Sequence, residues 1–238
     1  MRVREDLAHP WRVSVQEAEA IQRRLAPHVV MRALSAEGPD APRLAAGVDV
    51  GYSKDGALAW AAAVALERVV GEDGTAYFVE RDRAVIPGEP DMPYRTGLLA
   101  FREGRLTLEA LEALSVEADL VFCDGHGVVQ ERALGLASHI GVLLDVPTIG
   151  VPKTPFHAVD RAPGPNRGDF VVYTKEWGAE GAATRLRAGT KPVYVSPGHL
   201  VDLPSAIGLS LAWSTGRHRV PEPLSAADTF SKLARQGT

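Results

Sequence analysis

The chain has 238 residues, 45% of them hydrophobic and 24% charged, the ordinary balance of a globular α/β protein with a sizeable core. Those proportions, with a single cysteine at position 123, exclude disordered, collagen-like and disulfide-scaffold classes. The formal charge is -4, from 26 basic and 30 acidic side chains, so nothing global advertises nucleic acid, which normally meets a positive footprint. Residues 1–13 lack the apolar core of a signal peptide, and no apolar run approaches the roughly 18 residues that span a bilayer. A cytoplasmic monomer without membrane attachment is the expectation.

In chain order, Ser14-Val-Gln-Glu17 is a capping box that predicts an N-terminal helix over about 14–27. The runs Leu44–Tyr52, Ala57–Val70 and Ala76–Ile86 are separated by Asp55-Gly56 and Asp73-Gly74, turn signals that predict three antiparallel strands. Leu98, Phe101, Leu108 and Leu111 recur at helical spacing and predict a helix from about Gly97 to Leu114. Asp119–Asp124 is too short for a helix and reads as a buried strand; a helix over Glu131–Leu144 and a strand at Pro147–Val151 complete a parallel unit. Weaker strand patterns follow at Phe170–Thr174, Ala183–Leu186 and Val193–Val195, with helices over Pro204–Trp213 and Ser225–Ala234. Without repeats or a domain boundary, residues 1–238 form one α/β domain: a mixed central sheet of three antiparallel strands plus parallel strands, flanked by helices.

Chemistry concentrates on a few carboxylates. Asp49 interrupts the apolar run Ala45–Gly51, where burial is costly unless the charge is paired or binds a metal. Asp124 closes the strand before Gly125-His-Gly127, and strand C-termini are where such sheets present ligands. Taken alone, Asp124 is a turn residue, Glu103 a solvated helix residue and Asp228 a first-turn acid favoured by the helix dipole. Several carboxylates without a Cys/His cluster suit Mg²⁺ or Mn²⁺ and not zinc. A hydrolase G-x-S-x-G elbow is absent, and the glycines of Gly125-His-Gly127 are wrongly spaced for a Walker loop. Cys123, inside Leu-Val-Phe-Cys, reads as core. Lys153 directly follows the strand ending at Val151 and is placed at the same edge as Asp49 and Asp124.

As an ordered set these segments resemble endonuclease V, the deoxyinosine-directed repair nucleases. The blocks are Ala46-Gly-Val-Asp-Val-Gly51, Pro93-Tyr94 ahead of Phe101-Arg-Glu103, Asp124-Gly-His-Gly127 and Gly135-Leu-Ala-Ser-His139. They continue through Val146-Pro-Thr-Ile-Gly-Val151 with Lys153, Ser196-Pro-Gly-His199 and Val220-Pro-Glu-Pro223. The resemblance implies a ribonuclease-H-like fold, with Asp49 and Asp124 as principal Mg²⁺ ligands, Glu103 and Asp228 completing the acidic cluster and Lys153 near the scissile phosphate. It also implies Tyr94 and Arg95 in a wedge entering the duplex, and Gly97, Leu99, Gly125 and Gln130 around a pocket for the turned-out base. The implied reaction is hydrolysis of the second phosphodiester bond 3′ to deoxyinosine, leaving 3′-hydroxyl and 5′-phosphate ends. The alternatives are an inosine-RNA endoribonuclease and a non-catalytic inosine or branched-DNA binding module.

Two departures from the family pattern fall on lesion recognition. Where the family wedge reads Pro-Tyr-x-Pro-Gly, this chain has Pro93-Tyr-Arg-Thr-Gly97, and where it has a His-Pro-Arg triplet this chain has Gln130-Glu-Arg132. The segment after the lysine, Thr154-Pro-Phe-His157, also differs from the family's basic and small residues. Charge is unevenly placed as well: residues 185–238 hold seven basic and three acidic side chains, which predicts a basic face for the strand and modest, salt-sensitive affinity.

Overall fold

In the computed structural model, which describes residues 1–236, the three early runs form β1 (Leu44–Tyr52), β2 (Ala59–Val70) and β3 (Ala76–Gly88), paired antiparallel in sequence. Beyond them β4 (Leu120–Cys123) lies parallel to β1, and β5 (Thr148–Gly150) parallel to β4. The C-terminal third is more regular than its pattern suggests. There β6 (Phe170–Thr174), β7 (Glu180–Thr184) and β8 (Val193–His199) add three antiparallel strands, and β8 pairs with β5. Their full extent is hidden in sequence because Pro197 and Gly198 break the apolar pattern of β8; a register shift opposite them, between Thr148 and Ile149, accommodates the break. The result is one eight-stranded sheet in the order β3-β2-β1-β4-β5-β8-β7-β6.

Strand alternation sorts side chains into two cores. Ala46, Val48, Val121 and Cys123 pack on one face with α1 (Val15–Leu25), α2 (Leu99–Glu112) and α3 (Leu136–Leu144). Ala45, Leu120, Phe122 and Ile149 pack on the other with α4 (Leu203–Ala212) and α5 (Glu222–Gln236). The predicted capping box is formed: the Ser14 hydroxyl accepts from the Glu17 N–H, and the Glu17 carboxylate accepts from the Ser14 N–H at 2.8 Å. The helix expected from Glu131 begins only at Leu136. Gln130 Oε1 accepts from the N–H groups of Arg132 and Leu134, and Ala133 adopts φ 54°, so residues 130–135 are a closed loop instead of a first helical turn.

Two details of packing place the site. The last β1–β4 pair is Val48 with Cys123, which sets Asp49 and Asp124 side by side just where the parallel pairing ends. α5 crosses β1 so closely at Gly47 that an added Cβ would lie 2.1 Å from the Pro223 carbonyl carbon. Only glycine permits that approach, and it brings Asp228 and Ser231 over the strand ends.

Candidate active site

Asp49 shares the side of β1 that faces α5, where Ser231 Oγ donates to its Oδ2 at 2.7 Å. Burial pushes the Asp49 carboxyl up to about 6; the Ser231 hydrogen bond opposes the rise, and the nearby charges of Asp124 and Asp228 add to it. Glu103, on α2, is 9% exposed and accepts from the Tyr52 hydroxyl at 2.7 Å. Burial raises its carboxyl to about 8, against the Tyr52 bond and with further repulsion from Asp49 and Asp124. These carboxylates therefore sense one another across the strand ends.

Lys153 answers them. Its Nζ lies 3.3 Å from Asp124 Oδ2 and 3.0 Å from Asp228 Oδ1. Burial lowers the ammonium's affinity for its proton, but Asp124, Asp228 and Asp49 together outweigh it and the pKa is raised. Asp228 is also bonded by Lys232 one turn along α5. Burial works against its ionisation, yet Lys232 and Lys153 hold its carboxyl below the usual range. Cys123 is core, as its sequence context predicts, and burial with the neighbouring Asp124 raises its thiol far above the ordinary value.

A cavity of about 360 Å³ joins these groups to the loop before α2, within the range of small-ligand sites. Asp49, Glu103, Asp124 and Lys153 line one part; Tyr94, Arg95, Gly97, Leu99, Gly125 and Gln130 line the rest. Thus every residue singled out from sequence, apart from Asp228, borders one space, and Asp228 reaches it through Lys153. Tyr94 projects from the loop and is 68% exposed. Gln130 is turned inward, with its amide engaged by the protein: Nε2 donates to the Gly97 carbonyl at 2.8 Å and Oε1 accepts two backbone N–H groups. It lines the cavity with both ends of its amide already bonded to the protein.

Among the described residues, no three His, Cys, Asp or Glu side chains converge as a ready-made metal cage. Glu103 is tied to Tyr52, leaving Asp49 and Asp124 as the pair just beyond the last β1–β4 register pair. That donor set fits Mg²⁺, which typically takes one or two carboxylates and keeps several waters. Burial, with a smaller repulsion from neighbouring carboxylates, raises the carboxyls of Asp49 and Glu103, a cost that a bound cation would offset.

Sequence reasoning missed Ser231, Tyr52, Lys232 and Phe156, the last of which lines the cavity. Ser231 and Lys232 were within reach of it, because positions three and four beyond Asp228 share its side of a helix. Tyr52 had no such signal. His199 is structural: the ring accepts from the Val30 N–H at 3.2 Å and faces Asp145 at 3.3 Å.

The family model described as Endonuclease V matches residues 23–229. The Endonuclease V of Methanothrix thermoacetophila is 41% identical over 238 residues, covering 99% of each chain. That of Roseiflexus sp. is 39% identical over 226 residues, 95% of this chain and 96% of the relative. The crystal structure of the Endonuclease V from Streptomyces avermitilis matches with a TM-score of 0.80 at 38% identity, covering 95% of both chains.

Proposed function

The chain belongs to the endonuclease V family, a family of nucleases, and from that membership we propose that it is a Mg²⁺-dependent DNA repair endonuclease directed at deoxyinosine. It hydrolyses the second phosphodiester bond 3′ to the lesion and leaves 3′-hydroxyl and 5′-phosphate ends. The observation that carries this reading is the shared cavity: the carboxylate and lysine cluster opens into the same space as the exposed Tyr94 loop. A base turned out of the duplex and a phosphate of its own strand fit such a site together.

Tyr94 fills the gap that the turned-out nucleotide leaves in the stack, while the backbone at Gly97, Leu99 and Gly125 meets the edges of the base. Asp49 and Asp124 would hold the divalent ion, with Glu103 in support through the shared field. A divalent ion held there would supply a more acidic water and an electrophile for the phosphate oxygens. Ser231 fixes the Asp49 carboxylate, so that its free oxygen keeps one direction. Lys153, already protonated between Asp124 and Asp228, offsets charge that builds on the phosphate and the leaving 3′-oxygen. Asp228, whose other oxygen is bonded by Lys232, holds that ammonium at the lip of the cavity.

A cleavage assay on end-labelled duplexes containing deoxyinosine, inosine in RNA, or uracil, with Mg²⁺, Mn²⁺ or a chelator, tests the reading. Expected is one cut 3′ to deoxyinosine that requires the metal. Asp124→Asn should lose cleavage in Mg²⁺ while still retarding the deoxyinosine duplex in a gel. Undiminished cleavage by that variant would overturn the metal assignment, and preferential cutting of the RNA would move the substrate class.

A further inference from the structure

The tip of the loop before α2 is a type II turn. Leu98 N–H donates to the Arg95 carbonyl at 3.0 Å and Gly97 has φ +82°, whereas Thr96 stays outside the left-handed region. The site occupied by Thr96 is where such turns favour proline, whose ring sets φ in advance. Threonine leaves that torsion free in the unbound loop, so the turn has to be held from elsewhere.

It is held at the Gly97 carbonyl. Gln130 Nε2 donates to this oxygen at 2.8 Å and Gln22 Nε2 at 2.9 Å, with Arg132 Nη2 more distant at 3.4 Å. Gln130 is 2% exposed and Gln22 fully buried. Arg132 Nε donates to Gln22 Oε1 at 2.6 Å, which ties the two amides into one network. Rotation of the Gly97 peptide would strand buried amide donors without partners, an expensive outcome in a dry site. A side chain at position 97 would in turn meet Arg132 Nη2 at 2.9 Å and Gln130 Nε2 at 3.1 Å.

We propose that Gln130 is a positioning residue for lesion selection: through the Gly97 carbonyl it locks the turn that carries Tyr94 and the Gly97–Leu99 wall of the pocket. In doing so it supplies the rigidity that proline at position 96 would otherwise provide. The two departures at Thr96 and Gln130 are then one device. A pocket that reads a base by backbone groups discriminates only while that backbone keeps its place. The link to lesion selection rests on the nuclease reading proposed above; the lock itself is a property of the free protein.

Four proteins test it: the parent, Gln130→Ala, Thr96→Pro and the double variant. Two readouts are taken, hydrogen exchange of the 94–99 amides in the free protein and the ratio of kcat/KM for deoxyinosine over intact duplex. Losing the Gln130 donor should speed exchange at Leu98 about five- to tenfold and lower the ratio by a similar factor. Adding Thr96→Pro should restore most of both, because proline replaces the lock by restricting the backbone. If Gln130→Ala lacks a cooperative unfolding transition, Gln130→Met, of similar volume, takes its place. Unchanged exchange at Leu98, or a double variant no better than the single one, overturns the proposal. A parent protein that ignores deoxyinosine overturns the nuclease reading instead, and the exchange data still decide the lock.

Discussion

Glu103→Gln separates the cost of the site from its use. In the unfolded chain this carboxyl titrates near 4.5, and in the folded protein burial moves it to about 8. Between those values the folded state holds a proton that the unfolded chain has released, so stability is greatest below the window and falls as pH rises through it. The penalty reaches roughly 5 kcal/mol once both states are ionised and is about 3 kcal/mol at pH 7. Glutamine keeps the shape and an acceptor for the Tyr52 hydroxyl but carries no charge. At 2–4 °C per kcal/mol for a chain of this size, the metal-free variant should melt on the order of 10–20 °C above the parent at pH 9. At pH 5 the two should nearly coincide. Calorimetry with a chelator at pH 5, 7 and 9 measures the difference; Mg²⁺ should narrow it by stabilising the parent, and cleavage by the variant should be severely reduced. A variant no more stable at pH 9, or a gap that does not widen with pH, would refute a buried, mutually repelling Glu103.

Lys153→Ala should lower single-turnover cleavage by about 10²–10³ while changing DNA affinity much less, because its charge acts where the transition state builds negative charge; equal losses in both would make it a simple phosphate anchor. Tyr94→Ala should reduce the preference for deoxyinosine over intact duplex, as read from the ratio of kcat/KM values. With Tyr94 68% exposed, its melting temperature should move by no more than about 0.5 kcal/mol implies, and an unchanged preference would shift the wedge role to Arg95.

The elements that carried period-two or helical patterns between clear turns were legible in the sequence: β1 to β3 between Asp-Gly turns, α2 from its leucines, β4 and β5 from short apolar runs. What escaped was decided by side chains acting across the fold. The late start of α3 follows from the Gln130 side chain capturing backbone N–H groups, a competition between side chain and helix that propensity does not register. In the site, Asp49 and Asp124 stood out because a charge inside an apolar strand, or closing one, demands an explanation. Their supports did not, since the serine bonded to Asp49 lies 182 residues further along the chain. Gln130 was legible as a residue of the cavity, but the bonds of its amide were not, because sequence gives position along a loop and not the direction of an amide.

Charge shows a similar division. Four of the seven cations in residues 185–238 bond other parts of the protein: Arg185 on the Pro163 and Gly164 carbonyls, Arg219 on the Lys153, Lys191 and Pro192 carbonyls, Lys232 on Asp228 and Arg235 on the Tyr52 carbonyl. Arg219 in particular holds the main chain of Lys153, so part of the basic surplus builds the site before any DNA arrives. Each side chain so engaged is withdrawn from direct phosphate contact, and each missing phosphate contact reduces the salt slope of binding by about one. In the proposed function a small footprint of that kind would leave recognition to the cavity and the Tyr94 loop, which makes an overall charge of -4 compatible with a DNA substrate.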